Sequence, residues 1–463
     1  MTSPNPASDR NEPVAKQDHV ARLVKQHFSV CEGQLSIGGI RVADIAAQFG
    51  TPLYVYDQDL IEARIDRLRQ ALPESFRLFY SIKANPNATI LRTMLARGCG
   101  LEVASAGELY QTLQAGCRPE NIVFAGPGKT RDELAAALQA GIREIHVESL
   151  EEAECLNALA LDSNRTATIS LRINPVAASG GAMRMGGQAT PFGIDEEELE
   201  TTLDQMLALA GLKIVGIHLF MSTQVLDASV LLEQYQRALQ IAQRVAVRLP
   251  HPLESIDFGG GLGTPYFPHE RELDLEQVAA GLREIANQMR SDPLLSSAQG
   301  ILEPGRYLVN EAGIYLARVT RVKHSRGKTF GVIDGGMHHH LAASGNLGQT
   351  IKRNYPVALV NKMDQPNDQP VDIVGPLCTP LDTLARKVDL PAIEMGDLFA
   401  VFQSGAYART SSPHGFLSHN TPAEVMIANG SATLVRRRGE PQDYLSDQCE
   451  PPHASSAGDA SGQ

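Results

Sequence analysis

No two of the six cysteines stand in a C-x-x-C pair; Cys31, Cys99, Cys117, Cys155, Cys378 and Cys449 are scattered along 463 residues. That spacing indicates neither a zinc site nor a disulfide framework, and it suits a reducing cytoplasm. The chain lacks any run of ~18 apolar residues, so no membrane span is expected. The first twenty residues, MTSPNPASDRNEPVAKQDHV, lack the apolar core of a secretory signal. Positive charge is also short, with a net charge of -12. A nucleic-acid binder, or a binder of anionic membranes, needs the opposite balance. A local basic pocket for one phosphate remains compatible with it.

What is present is 43% hydrophobic residues over a long chain, enough for two domains given the ~100–250 residues that single domains commonly span. Residues 1–30 read as a flexible N-terminal segment and 438–463 as a disordered tail, both too polar to fold alone. Between them, β-rich runs alternate with helical patterns. The runs are LFYSIKA (78–84), GLEVAS (100–105), IVFAG (122–126), EIHVES (144–149), TISLRIN (168–174), IVGIHLF (214–220), SIDFGGG (255–261) and GILEPGR (300–306). Segments such as ATILRTMLARG and AGELYQTLQAG between them space apolar residues as helices do. Eight such units predict an α/β fold, a (β/α)8 TIM barrel over 58–306, with a doubly wound open sheet as the alternative. After Arg306 the long helical patterns give way to strands, which predicts a mainly β domain over 307–437. TPLYVYD (51–57), within the segment 31–57, is a strand with no place in a closed barrel, so it is expected to join the β domain.

Several residues could carry chemistry. Lys83 sits at the end of the first barrel run, on the rim where barrel enzymes gather their catalytic groups. Desolvation would lower its pKa and make it a nucleophile toward an aldehyde. Taken alone it reads more readily as a strand-end lysine reaching for water. Gly259, Gly260 and Gly261 could let backbone N–H groups approach a phosphate, or could only form a tight turn. GPGKT (126–130) is not a Walker motif, because Val123 stands where the first glycine belongs. Glu303 and Arg306 in EPGR could be an ion pair, or could grip a cofactor with a basic ring nitrogen and an anionic group. His338, His339 and His340 on an extended chain would face alternate sides, so no metal is expected there. One or two of them could instead face a substrate. Cys378 in GPLCTPLD and Tyr407 in QSGAYART each have an unremarkable packing role as the alternative.

Taken together and in order, these motifs resemble the fold-type III pyridoxal-phosphate decarboxylases, the family of the diaminopimelate, ornithine and arginine enzymes, over roughly residues 35–430. The resemblance implies an alanine-racemase-like barrel plus β domain, pyridoxal 5′-phosphate as cofactor, and a homodimer with shared active sites. It implies that Lys83 carries the cofactor as a Schiff base and that Glu303 bonds the pyridine nitrogen. Gly260, Gly261, Gly305, Arg306 and Tyr407 match positions around the phosphate, and Arg306 and Tyr407 also reach the substrate. Arg172 in SLRIN matches an arginine near the ring, and Glu102 in LEVAS replaces the usual aspartate. Cys378 matches the cysteine that the partner subunit contributes; it, or a nearby acid, returns a proton to the carbanion after carbon dioxide leaves.

Two departures bear on substrate. The family's stacking histidine lies in an H-x-G-S pattern. Alignment on Gly216 puts Phe220 at that histidine, Ser222 at the glycine and Thr223 at the serine, with His218 two residues earlier. A phenyl ring can cover the cofactor but carries no proton. Thr379 stands where ornithine and diaminopimelate enzymes place an acid for the distal ammonium. DGGMHHHLAASGN, with His338 and His339 as candidate substrate contacts, lacks the arginine that diaminopimelate enzymes use. These segments resemble the exosortase-associated decarboxylase subgroup, whose relatives act on carrier-linked or conjugated amino acids. The resemblance leaves three alternatives open: a diamino-acid decarboxylase, an amino-acid racemase on the same fold, and a non-catalytic cofactor-binding regulator. Racemases of this fold pair the ring nitrogen with an arginine, against which Glu303 speaks.

Overall fold

The computed structural model describes residues 19–176, 183–184, 189–349 and 351–449. Eight parallel strands form a closed barrel: Phe76–Ser81, Gly100–Val103, Ile122–Phe124, Glu144–Val147, Ala167–Asn174, Leu212–His218, Ser255–Asp257 and Gln299–Leu302. Closure is made where the fourth strand pairs with the fifth, Ile145 opposite Ile169 and Val147 opposite Leu171. It is completed where the eighth pairs with the first, Ile301 opposite Arg77. This excludes the open doubly wound sheet. Several of the strands are buried throughout, as in Ile122–Phe124, because helices cover one face and the barrel interior the other.

Polar caps start most of the barrel helices. Thr130 and Glu133 form a capping box, and the side chains of Asn87, Ser105, Ser149 and Asp227 accept from the first-turn amides of their helices. Most of the strands stop short of the ends of the β-rich runs of the sequence. Except for the fifth, each gives way two to four residues before its run ends, and those last residues hold most of the candidate chemistry.

The second unit is built around the long strand Gly313–Ser325. It turns tightly through Arg326 and Gly327, both at positive φ, into Lys328–Ile333. Its first half is flanked by Leu398–Val401 on one side and Leu53–Asp57 on the other. Leu53–Asp57 also runs parallel to Ala423–Ala428, so the strand before the barrel is a member of the β-domain sheet. Glu424 ties the two units, accepting from Tyr56 at 2.9 Å and from Asn87 at 2.9 Å.

Both ends hold more structure than their polarity implies. His19–His27 is a helix whose His19 and Leu23 are buried; His19 Nε2 lies 3.2 Å from Gln403 Oε1. Residues 438–449 are likewise packed. Arg438 donates to the Pro52 carbonyl at 2.6 Å, and the Tyr444 hydroxyl donates to that of His414 at 2.9 Å. Residues 1–18 and 450–463 lie outside the described residues. No helix among the described residues is long and apolar enough to cross a membrane.

Candidate active site

The site begins where the first barrel strand ends. Ile82–Ala84 is a single 3₁₀ turn, with Ile82 and Ala84 buried, so the intervening Lys83 points out of the core into the barrel mouth. The turn is clamped from the β domain. Tyr407 N–H donates to the Ala84 carbonyl at 2.9 Å, and Asn85 Nδ2 donates to that of Gly405 at 3.0 Å. The Lys83 side chain is 45% exposed, and its ammonium meets Glu102, itself buried, at 3.1 Å. In the sheet register Glu102 sits opposite Ser81, whose hydroxyl also donates to it. Burial acts to lower the pKa of Lys83, but the charges of Glu102, Tyr407 and Glu303 and the Glu102 hydrogen bond together raise it above the usual lysine range. The expected depression by desolvation is therefore reversed, because the neighbouring strand supplies a counter-ion.

Glu303 follows the last residue of the eighth strand. Its backbone N–H donates to the Gly259 carbonyl at 2.8 Å, which locks it against the glycine loop. A Cβ on Gly260 would fall 2.4 Å from the Glu303 carbonyl oxygen, and Gly261 sits at φ +88°. Glycine is thus required at both for the loop to pass this close. Gly305 packs against Ser81 and Ala84, where a Cβ would come within 3.1–3.2 Å. Arg306 opens a short helix. Its Nη1 donates to the Tyr266 hydroxyl at 2.6 Å, and its guanidinium lies 4.7 Å from the Tyr407 ring centroid.

Arg172 ends up beside Glu148, at 2.7 Å, and under the Phe192 ring, 4.9 Å from its centroid. Glu148 is tied in turn to the amides of Gly126 at 2.7 Å and Gly193 at 3.0 Å. Phe220 lies along the glycine loop; a Cβ on Gly259 would come within 2.9 Å of its ring. Thr223 pairs with Met183 in a two-stranded ribbon beside the mouth. Lys129 of GPGKT is a structural lysine, bonded to the Gly126 and His146 carbonyls and to Glu152 at 2.6–2.7 Å.

The three histidines are not extended. His338 and His339 lie in a turn, all three are buried, and burial pushes their pKa values down to about 4, 2 and 3. His339 is held by the Tyr315 hydroxyl at 3.1 Å and the Asn420 carbonyl at 3.0 Å. His338 packs on His419, with both ring nitrogens unpartnered. Among the described residues neither makes a hydrogen bond or ring contact with Lys83, Glu303 or Arg306. The turn is set by Asp382, which the sequence reading passed over. Its carboxylate accepts from Met337 N at 2.6 Å and Leu377 N at 2.9 Å. That pins the GPLCTPLD loop to the histidine turn, so Cys378 is exposed at the loop surface and Thr379 is partly exposed beside it. Among the described residues, Cys378 and Thr379 make no hydrogen bond with Lys83, Glu303 or Arg306.

A cavity of about 670 Å³ lies between the N-terminal helix and the β domain, lined by Tyr266 and Tyr355. Lys83, Glu303 and Cys378 are not in its wall; Tyr266 is its link to Arg306.

The residues fit pyridoxal phosphate, which has an aldehyde, a basic ring nitrogen and a phosphate. Lys83 offers an accessible amine. Glu303 Oε1 is buried with no hydrogen-bond partner, and so is Arg306 Nε. The amides of Gly260 and Gly261 have no protein acceptor among the described residues. A carboxylate for the ring nitrogen and unpaired donors for the phosphate are thus both in place.

Comparison with known proteins agrees with that fit. The family model for the pyridoxal-dependent decarboxylase pyridoxal binding domain matches residues 58–310. The L-glutamyl-[BtrI acyl-carrier protein] decarboxylase of Niallia circulans is 38% identical, over 90% of this chain and 98% of its own. The 2-[(L-alanin-3-ylcarbamoyl)methyl]-2-hydroxybutanedioate decarboxylase of Staphylococcus aureus is 31% identical, over 81% and 93%. The crystal structure of diaminopimelate decarboxylase from M. jannaschi superposes with a TM-score of 0.83 at 26% identity, over 93% and 99%.

Proposed function

This chain belongs to the pyridoxal-dependent decarboxylases, and on that premise we propose that its substrate is an amino acid borne on a conjugate or a carrier. It is a carboxy-lyase that uses pyridoxal phosphate. The observation that carries the substrate reading is the 38% identity, over nearly the whole of both chains, to a relative named for a carrier-linked glutamyl group. Thr379 supports it, since a neutral hydroxyl offers no partner to the distal ammonium of a free diamino acid. So does a cavity of about 170 Å³ bordered by Lys352, Arg353 and Arg386 with no acid in its wall. In a chain of net charge -12, that basic patch suits an anionic tether.

Bound pyridoxal phosphate supplies an aldehyde for the substrate amine and a ring that accepts the electrons released with carbon dioxide. The chain's own groups do the rest. Lys83 Nζ attaches the cofactor and exchanges protons at that nitrogen, held in place by Glu102. Glu303 keeps the proton on the ring nitrogen, which makes the ring a better electron acceptor. Arg306, Tyr407 and the glycine loop hold anionic groups, Arg172 orients the ring side, and the Phe220 ring excludes water. Cys378 lies exposed on its loop, and a second copy of the chain supplies it as proton donor, with Thr379 at the distal end of the substrate.

Release of carbon dioxide from three substrate sets tests the substrate reading: free diamino acids, small amide conjugates, and carrier-bound glutamate. A kcat/KM at least about 100-fold higher for a conjugate or carrier-bound set is expected, the discrimination a site built for one polar end achieves. Equal or faster release from free diaminopimelate would reject it. Sharing of sites is tested by mixing inactive Lys83→Ala and Cys378→Ala proteins. Half the reassorted dimers are mixed and hold one intact site of two, so about a quarter of the activity should return; no recovery would mean that each chain uses its own cysteine.

A further inference from the structure

Beneath Glu303 lies a cluster that none of those roles uses. His146 comes from the fourth barrel strand, His218 from the sixth and Asp257 from the seventh. With Glu303 their exposures are 0%, 2%, 0% and 5%, and one donor atom of each lies within 4.8 Å of the others. His218 Nε2 is 3.4 Å from Glu303 Oε2, and His146 Nε2 is 3.8 Å from Asp257 Oδ2. The two imidazoles pack against each other at a tilt of 33°, with centroids 4.4 Å apart. Asp257 is anchored by the Gly259 amide at 2.8 Å. Its Oδ2, both nitrogens of each histidine and Glu303 Oε1 have no hydrogen-bond partner.

Two carboxylates this close, out of water, do not both ionise. Burial and the Glu303 charge push the Asp257 carboxyl well up. Burial pushes both imidazoles well down, so each keeps one N–H and no charge. The charged groups facing the cluster from neighbouring strands and loops are Lys83, Glu102, Lys129, Glu144 and Arg172. Three are cations and two are anions, and Lys83 and Arg172 each already have a carboxylate partner.

We infer that His146, His218 and Asp257 are positioning residues for Glu303, a set that holds one carboxylate in place by the His218 N–H and leaves one negative charge rather than two beneath the cofactor ring. A small turn of the neutral His218 ring brings its Nε2–H onto Glu303 Oε2, 3.4 Å away, and leaves Oε1, which has no protein partner, for the ring nitrogen. Packing against the tilted His146 ring limits rotation of His218 to that turn, and a protonated Asp257 leaves no second negative charge against Glu303.

The test reads protonation directly. The infrared spectrum of the cofactor-free protein at neutral pH should show the C=O stretch of a carboxylic acid, moved by isotopic labelling of aspartate and lost in Asp257→Asn. His218→Leu should weaken cofactor binding about tenfold, the loss of one hydrogen bond to a charged group. His218→Gln, which restores an N–H at the same reach, should return affinity to within about threefold. A purely packing role would not distinguish leucine from glutamine in this way. An absent acid band, or equal cofactor affinity in His218→Leu and wild type, would overturn the proposal. So would stoichiometric Zn²⁺ uptake that abolishes the band, which would make the cluster a metal site. If a variant does not fold, the labelled wild-type spectrum decides alone.

Discussion

Replacing Lys83 with alanine is expected to lower kcat by about 10⁴-fold, the upper range for loss of one positioned proton-transfer group. The amine has two tasks, attaching the cofactor and moving a proton at the reacting carbon, and no other lysine in the site can take them over. Lys129, the other lysine of the barrel mouth, is bound by two carbonyls and Glu152 and is 1% exposed. The substitution also leaves Glu102 buried beside no cation, a strain eased by the Ser81 hydroxyl. Lys83→Arg separates these effects, because it keeps the charge beside Glu102 but offers no nucleophilic amine. Single-turnover carbon dioxide release should be abolished equally in both variants, while only alanine is partly rescued by a small added amine. Near-normal turnover in either variant would refute the assignment.

The second large effect is expected at Glu303. Glu303→Gln keeps the volume and the backbone hydrogen bond to Gly259, so the loop geometry should survive. An amide cannot hold a proton on the ring nitrogen, however, and kcat should fall by about 10²–10³-fold, the usual loss for one preorganised electrostatic contact. Cofactor affinity should fall far less, because Lys83 and the phosphate contacts remain. Measured as kcat against cofactor Kd, the two parameters should therefore separate. A parallel fall in both would mean that Glu303 only anchors the cofactor.

Much of this architecture is legible in the sequence because the barrel repeats one local pattern. Apolar runs such as IVF are followed by helices with polar caps such as Thr130 and Ser149, and each level points to the same fold. SIKAN, GGG and EPGR were legible for a related reason, since each sits just past a strand where the chain leaves the ladder. What was not legible depends on distant partners. The sign of the Lys83 pKa shift is set by Glu102, which only the inter-strand register brings opposite Ser81. His146 and Asp257 read as ordinary strand residues until three strands converge. The histidine turn is dictated by Asp382, whose carboxylate crosses from another loop. The N-terminal helix was hidden because it is short and follows a polar stretch, and its burial depends on the β domain.

Catalysis by this site requires the cofactor to be attached at the barrel mouth. Borohydride reduction of the holoenzyme, followed by digestion and peptide mass mapping, tests this most directly. The cofactor's added mass should appear on the peptide containing Lys83 and on no other. Label on Lys129 or any other lysine, or protein that takes up cofactor without a borohydride-fixed adduct, would contradict it.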